Sequence, residues 1–596
     1  MKNFLRRGGI LALLAAVALG AASCGSDPDV QPTAGVTEQH WKQIEQIAGG
    51  AVEKSYAFTA AGAWTARSTA SWAVVKSESG QAGRSELRVA ADENTSGTER
   101  SATITVQVKG HGPSSFILKQ QSLTTASKDN ETLDRWMFDY MKTHYLWNEA
   151  VAKLTPDYTL DYKEFLRKVL VDVAAQGDVN HDDGHWSVDN AGQSVRQSFY
   201  TNIQRYPKAT RGTRETADGF GIDYIVYGSF VDGAGNSTGE LFFIVLAVAP
   251  GSPADKAGVQ RGDYIVKVAG RAITPTTLEA DWGLLMSQTS AATATFSPGV
   301  LSGNGLGVGD PKTLTRATYD DNPVWLAKTF DSPAGKVGYL WYNAFNLNYD
   351  DELIAAVGRL KAEGAKELIL DLRYNGGGHV VSSVVLGTLV AGDAKKGQVY
   401  ANTTYNADRM AAGEKAAIYS LGSAIVKYGG ANGNDARYEP IATALASSLG
   451  LQTVYVLGTS NTASASELVI NGLRGVDIEV RLIGGRTNGK NVGMEPIVRE
   501  LGDWEYDFSP VTFYSVNAKG FKDYSDGFAP DAALNELSGD IYPMGDERDP
   551  LIASALRWIG GQNPASAALT RADGRELIAL PRPARRLDGM IALPLE

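Results

Sequence analysis

The feature that most constrains the fold of this chain is that its apolar residues change period several times along 596 residues. Within about residues 36–122 they alternate with polar residues, which is typical of half-buried strands. Within about 128–205 they recur every three or four residues, as on one face of a helix. From about 335 to 560 short apolar strands alternate with amphipathic helices. A single hydrophobic core does not accommodate three different periodicities of apolar residues in a chain of 596 residues. We therefore predict a multidomain protein with an all-β module, a helical segment and an α/β core.

Charge and cysteine content exclude several classes of protein. Acidic residues exceed basic residues by 67 to 56, and this negative balance argues against a nucleic-acid-binding protein. The chain has one cysteine, so neither an intramolecular disulfide nor a cysteine-based zinc cluster is possible within it. The run from His181 to His185 contains two histidines and two aspartates, but its spacing matches no familiar set of metal ligands. We predict a solvated polar loop there, and neither a metal nor a cofactor.

The first 24 residues have the organisation of an export signal. Basic residues precede an apolar run, Ile10–Leu19, that is too short to span a bilayer comfortably, and small residues follow it directly before Cys24. This ending resembles a bacterial lipobox, which implies cleavage before Cys24 and lipidation of that cysteine. An ordinary signal peptide is the alternative. The resemblance implies a lipid-anchored protein of the bacterial cell envelope, held at the outer membrane, with its orientation to the periplasm or the outside left open.

The all-β segment, residues 36–122, resembles the immunoglobulin-like BACON family. The resemblance rests on Phe58, Trp64, Trp72, the run Arg100–Val106 and a final glutamine, Gln120 or Gln121. It implies either a carbohydrate-binding module or a spacer. Aromatic residues in short strands usually pack inward, so we predict that both tryptophans belong to the core.

Residues 216–298 contain a second recognisable unit. Ser252 and Pro253 are typical of the first residues of a short helix, and Gly258 of its end. With the glycine-rich block Gly251–Gly270, this segment resembles a PDZ domain. The resemblance implies that the unit binds an extended peptide and holds its C-terminal carboxylate in backbone amides. The candidate carboxylate loop is formed by Gly219, Phe220, Gly221 and Ile222, and the implied partners are proteins or peptides with apolar C-termini.

Candidate catalytic residues lie in the α/β core, residues 335–560. Strand Val454–Leu457 leads through a turn containing Ser464 into an apolar helix, whose N-terminus stabilises negative charge. A second strand leads into the glycine loop Asn375–Gly378, whose glycines allow backbone amides to approach a ligand. Two bases are available, His379 after this loop and Lys490 further along, and composition does not choose between them.

The motifs around these residues resemble those of the carboxyl-terminal processing (tail-specific) serine peptidases, from Trp136 to about Asp549. The matching motifs, besides the PDZ segment, are Asp371–Gly378, Thr462–Glu467, Gly489-Lys490, Gly527–Asp531 and Gly545–Asp549. The resemblance implies a crotonase-like fold, Ser464 as the nucleophile and Lys490 as the base. It also implies oxyanion donors at Ala465 and at Gly377 or Gly378, with His379 in a variable loop position. Arg373 and Glu467 are interpreted as structural ions near the site.

The sequence departs from this family at one position of the site. A glutamine that orients the lysine is expected four residues after it, where this chain has Met494, and the spacing from Ser464 to Lys490 is slightly long. Thr487 or Asn491 is a candidate replacement. A lysine acting as a base near pH 7–8 needs a pKa about 2–3 units below its usual value, which burial provides.

Two functions therefore remain open from the sequence. One is a lipid-anchored serine endopeptidase that cleaves proteins or peptides near their C-termini, with the PDZ domain binding the C-terminus of the substrate. The other is a peptidase-like scaffold that binds peptides or glycans. The segment 397–450 is predicted to be an irregular insertion, and residues 561–596 a tail without a clear pattern.

Overall fold

The computed structural model describes residues 35–47, 49–94, 99–122, 125–188, 194–208, 216–231, 239–302, 305–429 and 435–564, with the short segments 576–579 and 590–591. Two units are present, divided between Lys128 and Asp129. The predicted export signal and Cys24 lie outside the described residues. No helix in the described part of the chain has the length and apolarity to cross a membrane.

The first unit is a sandwich of two sheets, with strand orders β1-β3-β7-β5 and β2-β9-β8-β4-β6. The alternating residues of β8 face the core between the sheets, as the sequence pattern predicts. Trp64 is buried and donates to Ser85 Oγ, whereas Trp72 is half-buried beneath the Arg100 guanidinium. The described strands are β1 (Val36–Thr37), β2 (Ile44–Ile47), β3 (Val52–Ala60), β4 (Trp64–Ser68), β5 (Ala73–Val75), β6 (Ser79–Gly80), β7 (Gly83–Ala91), β8 (Arg100–Val108) and β9 (Pro113–Gln120).

The second unit begins with helices but does not continue with them to residue 205. Helices α1 (Thr125–His144), α2 (Asn148–Ala152) and α3 (Tyr162–Ala174) are followed by strands β10 (His185–Val188), β11 (Ser194–Ser198) and β12 (Asn202–Pro207). The apolar faces of α1 and α3 pack together, as predicted. The helical prediction is wrong for the last part of the segment because β12 pairs with a strand at Trp504–Ser509, a partner 300 residues away that local periodicity does not reveal.

The next part of the unit contributes most strands of an eight-stranded sheet, a two-stranded sheet formed by β13 and β21, and two helices. Ser252 accepts a hydrogen bond from Asp255 N at the start of its short helix, with Pro253 at the first position, which confirms the predicted cap. The elements are β13 (Thr216–Gly219), β14 (Ile222–Val231), β15 (Phe242–Val248), α4 (Pro253–Lys256), β16 (Tyr264–Val268), β17 (Arg271–Ala272), α5 (Leu278–Leu285), β18 (Thr293–Ser302), β19 (Gly305–Val308), β20 (Lys312–Thr315) and β21 (Ala317–Asp320).

The α/β core contains a six-stranded sheet, a seven-stranded sheet and the helices between and around them. In the first sheet, order β22-β23-β24-β29-β30-β35, the strands from β23 onward run parallel. The core elements are β22 (Val324–Ser332), β23 (Gly335–Tyr342), α6 (Asp350–Ala362), β24 (Glu367–Asp371), α7 (Val380–Ala391), β25 (Val399–Thr404), α8 (Ala407–Ala411), β26 (Lys415–Ser420), β27 (Ile425–Gly429), β28 (Asp435–Arg437), α9 (Pro440–Ser447), β29 (Thr453–Gly458), α10 (Ala465–Gly475), β30 (Glu479–Gly484), β31 (Val492–Met494), β32 (Ile497–Leu501), β33 (Trp504–Ser509), β34 (Val511–Val516), β35 (Ala532–Ala533) and α11 (Pro550–Ile559).

Two segments are more regular than the sequence indicates. The described residues within 397–450, which exclude 430–434, form four strands and two helices, and β25–β28 extend a sheet that continues through β34 and β31. The tail contributes β36 (Glu576–Ala579), which pairs with β14, and β37 (Met590–Ile591), which pairs with β31. These short strands form by pairing with strands that are far away in the sequence. Their own alternation of apolar and polar residues is too short to predict a strand.

Candidate active site

Three neighbouring parallel strands bring the predicted site residues to one edge of a sheet. Strands β24, β29 and β30 lie side by side and run in the same direction. At their carboxyl ends they lead into the glycine loop Asn375–Gly378, the turn containing Ser464, and the loop containing Lys490. Loops that follow adjacent parallel strands meet outside the carboxyl edge of the sheet, which is where ligands bind in open α/β folds.

Ser464 occupies a strained turn directly before helix α10. Its φ of 60° and ψ of −115° lie in a region that non-glycine residues rarely adopt, at a cost of about 1–3 kcal/mol. The side chain is fully buried, and its Oγ makes no hydrogen bond to any group in the described part of the chain. A strained, unsatisfied hydroxyl at the N-terminus of an eleven-residue helix is the arrangement expected of a nucleophile.

The carboxylate of Glu467 joins the loop of Ser464 to the loop of Lys490. Its Oε2 accepts hydrogen bonds from the backbone N–H of Ser464, at 2.9 Å, and of Lys490, at 2.8 Å. Its Oε1 accepts from Gly489 N, at 2.7 Å, and from Thr487 Oγ1, at 2.6 Å. Glu467 therefore fixes the backbone at both residues of the predicted dyad.

The charge state of Glu467 follows from two opposing effects. The side chain is fully buried, and burial raises its pKa to about 7 from the ordinary value of 4.5. The four hydrogen-bond donors favour the ionised carboxylate and limit that rise. This carboxyl therefore changes its protonation state close to neutral pH.

Lys490 lies against an aromatic ring supplied from a distant part of the chain. The lysine is fully buried, and its Nζ is 4.4 Å from the centre of the Tyr200 ring. The hydroxyl of Tyr200 donates to Asn488 Oδ1, at 2.7 Å. The amide of Asn488 in turn contacts His185 Nδ1, at 2.9 Å, and donates to Ser460 O. Nothing in the sequence indicated Tyr200, because its partners lie nearly 300 residues away.

The glycine loop approaches the turn of Ser464 closely. A β-carbon at Gly377 would lie 2.7 Å from Cβ of Ser464 and 3.0 Å from the backbone N of Ala465, and the φ of Gly377 is 109°. Only glycine fits this position. The N–H of Gly377 donates to Asn375 Oδ1, at 2.9 Å, so that amide is already engaged.

Arg373, two residues before the glycine loop, belongs to a buried ionic network. Its guanidinium contacts the carboxylates of Asp371, Glu536 and Asp549, at 2.7, 3.0 and 2.9 Å. Arg261, from the block between β15 and β16, reaches the same Glu536 at 2.8 Å. The sequence interpretation of Arg373 as a structural ion fits this network, and Arg373 and Glu467 have separate partners.

In the predicted solvated loop from His181 to His185, Asp183 and Gly184 are buried and the other three residues are half-buried. Asp183 is fully buried and accepts hydrogen bonds from the backbone of Tyr200 and Thr201 and from the hydroxyl of Tyr145. This loop therefore holds Tyr200 in place beside Lys490. The prediction of a solvated loop is therefore wrong for Asp183, whose oxygens accept hydrogen bonds from segments that are distant in the sequence, whereas the His181 side chain keeps 44% of its surface exposed.

The remaining predicted positions lie around the site. His379 precedes α7, and its N–H donates to Phe345 O at 2.9 Å. Met494 is buried among apolar side chains in the cluster that includes α1 and α3. Of the candidate replacements for a glutamine, Thr487 bonds to Glu467, and Asn491 donates to Asp182 and to Lys522 O.

The candidate carboxylate loop lies at the start of β14. Phe220 and Ile222 are buried in the core of this part of the unit. Gly221 has a φ of 82°, and a β-carbon there would lie 2.0 Å from Cβ of Ser252. The N–H of Phe220 donates to Ser287 Oγ at 2.8 Å, so this amide is engaged within the fold.

Family models match four segments of the chain. Peptidase family S41 matches residues 336–531, and the N-terminal domain of S41 peptidases matches 132–188. A PDZ domain matches residues 244–293, and BACON, an N-terminal binding domain, matches 62–121.

Individual relatives are similar over part of their length. A carboxyl-terminal-processing protease of a Picosynechococcus species is 30% identical over 152 residues, covering 24% of this chain and 34% of the relative. One of a Synechocystis species is 28% identical over 259 residues, covering 44% and 51%. The chain thus spans about a third to a half of these relatives. The crystal structure of a candidate S41 protease from Bacteroides fragilis superimposes with a TM-score of 0.54 at 26% identity, covering 72% of this chain and 97% of that one.

Proposed function

Because the chain carries a peptidase family S41 domain together with the N-terminal domain of that family and a PDZ domain, we propose that it is a serine endopeptidase that cleaves proteins near their C-termini. The observation that carries the proposal is the carboxylate of Glu467, which binds the backbone of Ser464 and of Lys490 at once. A turn that only ends a strand does not require a buried carboxylate that also binds the loop of Lys490.

The proposed reaction uses Ser464 and Lys490 as a dyad. The neutral amine of Lys490 takes the proton of Ser464 Oγ as the oxygen attacks the substrate carbonyl, and the tetrahedral intermediate collapses to an acyl-enzyme. The leaving amine receives the proton, and water then releases the acyl group by the same steps. Ala465 N–H lies at the start of α10 beside the nucleophile, where it can donate to the oxyanion. The second donor in this scheme is Gly378, since Gly377 N–H is bonded to Asn375.

The environment of Lys490 supports a role as base. Lys490 is fully buried, and burial favours the neutral amine over the charged ammonium. The ring of Tyr200 contacts the amine where Met494 offers no hydrogen bond, and it limits the positions that the side chain can adopt. Tyr200 therefore takes the orienting role of the missing glutamine in this proposal.

The PDZ domain is proposed to bind the C-terminal segment of the substrate. Strand β14 begins directly after Gly219–Gly221, so a peptide that pairs with β14 points its carboxylate to that loop. Substrates with extended, apolar C-termini fit this mode best.

A cleavage assay tests the proposal. Residues 25–596 are incubated with unfolded proteins that have apolar C-termini, from pH 6 to 10, and products are identified by mass spectrometry. Ser464→Ala and Lys490→Ala should abolish cleavage, and His379→Ala should retain it. Cleavage that persists in Lys490→Ala but fails in His379→Ala would contradict the dyad. Absence of cleavage in the folded parent protein, with peptide binding intact, would favour the alternative function, a peptide-binding scaffold.

The location of the protein is part of the proposal. Lipidation of Cys24 would hold the peptidase at the bacterial cell envelope, with the outer membrane as the expected site. Labelled palmitate should enter the wild-type chain but not Cys24→Ser, and the variant should leave the membrane fraction. The BACON domain is proposed to act as a spacer. Its depletion from solution by insoluble polysaccharide would instead indicate a carbohydrate partner.

A further inference from the structure

A strand from the tail of the chain lies on the sheet of the PDZ domain. Residues Glu576–Ala579, β36, pair antiparallel with the second half of β14, in the register Val231 to Glu576 and Gly228 to Ala579. The sheet order is β19-β18-β16-β15-β14-β36, so β36 forms its outer edge.

This outer edge of β14 is the one available to a peptide ligand. The opposite edge of β14 is filled by β15 from Ile222 to Gly228. Among the strands that the structure describes, none pairs with the outer edge between Ile222 and Tyr227. The direction of β36, from Glu576 to Ala579, runs toward the Gly219–Gly221 loop, as the direction of a ligand held by its carboxylate in that loop would.

A second piece of the tail lies beside the strand that follows the proposed base. Met590 and Ile591 pair in parallel with Gly493 and Met494 of β31. In the described structure β31 has β34 on one side and this tail strand on the other, so β37 also forms a sheet edge. The tail thus pairs with one strand edge of the PDZ domain and with one strand edge beside the loop that carries Lys490. The proposed nucleophile, Ser464, is fully buried.

We propose that the tail is a built-in ligand of the PDZ strand edge, which competes with long peptides and must leave β14 before they bind. The inference rests on the proposed function in that it takes β14 as the substrate edge. From Ile222 to Gly228 the strand extends about 20 Å, at about 3.4 Å per residue. A ligand whose carboxylate lies in the loop therefore meets the tail only from about its seventh residue onward. Short peptides should bind while the tail remains on β14, whereas longer peptides should bind only after the tail has left β14.

The test uses the full chain with Ser464→Ala, so that peptides are bound and not cleaved. Leu577→Pro with Ile578→Pro removes two backbone N–H groups from β36, which prevents pairing. The matched control, Leu577→Val with Ile578→Val, keeps both N–H groups and a preference for strands. Binding is measured by fluorescence anisotropy with a five-residue and a twelve-residue peptide that share the same apolar C-terminal residues and a free carboxylate.

The proline variant should bind the twelve-residue peptide more tightly than the parent and the valine control. A tail that occupies the edge 90% of the time would weaken apparent affinity about tenfold, so the expected gain is about tenfold. The five-residue peptide should bind all three proteins equally. Hydrogen exchange should show that residues 228–231 are protected in the parent and valine proteins, and exposed in the proline variant.

Three results would overturn the inference. Equal exchange at residues 228–231 in all proteins would mean that the tail does not hold this edge in solution. Lost protection without tighter binding of the long peptide would mean that the tail does not compete. A lower melting temperature of the proline variant, again with no gain in binding, would make β36 an ordinary structural strand. Failure of the peptidase proposal would appear separately, as lack of cleavage in the Ser464-containing chain, and it would leave these binding results unaffected.

Discussion

Replacing Glu467 by glutamine isolates the link between the two loops of the proposed dyad. Glutamine has nearly the same shape but offers one oxygen and one NH2 group where the carboxylate offers two oxygens. In its best orientation the NH2 group faces Thr487 and Gly489, because the threonine hydroxyl can rotate to accept. Gly489 N–H then loses its acceptor, and the loop that carries Lys490 has to shift.

The effect on stability combines two opposing contributions. One buried N–H without an acceptor costs about 1–3 kcal/mol. The pKa of Glu467 is raised from 4.5 to about 7, so between these values the folded protein holds a proton that the unfolded chain has lost. Stability is therefore lost as pH rises through this window, by about 3 kcal/mol at pH 8, and glutamine avoids that loss. We expect Glu467→Gln to be about 1–3 kcal/mol less stable than the parent at pH 5, and as stable or more stable at pH 8.

At pH 8, where Glu467→Gln should be at least as stable as the parent, its peptidase activity should be lower. A shift of about 1 Å in the position of a catalytic group costs about 100-fold in rate, so kcat/KM of Glu467→Gln at pH 8 should fall by about that factor. The matched control is Thr487→Val, which removes a hydroxyl bonded to the same carboxylate and to Phe528 N. It should lose about 1–3 kcal/mol at pH 5 and more at pH 8, because the missing hydroxyl no longer favours the ionised carboxylate. The loss of activity should be much smaller, since the amides of Ser464 and Lys490 keep their acceptor.

The measurements are urea unfolding at pH 5 and pH 8 and peptide cleavage at pH 8, on parent, Glu467→Gln and Thr487→Val. The reasoning would be refuted if Glu467→Gln kept full activity. It would also be refuted if the stability difference between Glu467→Gln and the parent were the same at both pH values.

Three further predictions concern other parts of the second unit. Tyr200→Leu removes the ring that contacts Lys490 and should lower kcat about tenfold. Tyr200→Phe keeps the ring, and its kcat should stay within about threefold of the parent value. Equal kcat values for the two variants would exclude a positioning role for the ring. Arg373→Met leaves three buried carboxylates without their common cation and should lower the free energy of unfolding in urea by about 3–5 kcal/mol. A loss below about 1 kcal/mol would contradict a stabilising role of this network. Burial raises the pKa of Asp134 to about 8, and neither of its oxygens has a hydrogen-bond partner among the described residues, so the parent loses stability as pH rises from about 4 through 8. Asp134→Asn should therefore gain stability relative to the parent as pH rises, by up to about 5 kcal/mol between pH 4 and pH 9, and a gain that does not grow with pH would be inconsistent with this titration.

Features that depend on neighbours in the sequence were predictable. The apolar face of α1, the cap at Ser252 and the strand–turn–helix around Ser464 arise from residues a few positions apart, and the structure has them where the patterns indicate. The family motifs that contain Ser464 and Lys490 are equally local. The sheet edge that brings them together follows from the parallel order of the strands, which an α/β pattern already favours.

Features that depend on distant partners were not predictable. The strands after α3, the regular sheet formed by residues 397–450 and the pairing of β36 with β14 each need a partner far along the chain. Short strands carry too little pattern to be recognised without that partner.

The amino-acid sequence by itself determined the types of the domains and which residues are candidates for the site, since these depend on local periodicity and short motifs. Only the tertiary structure decided what holds that site: the ring of Tyr200 at Lys490, the four donors around the buried carboxylate of Glu467, and the tail on the PDZ edge. The physical reason is that burial and hydrogen-bond satisfaction depend on which distant groups meet, and polar groups removed from water must find partners wherever the fold supplies them.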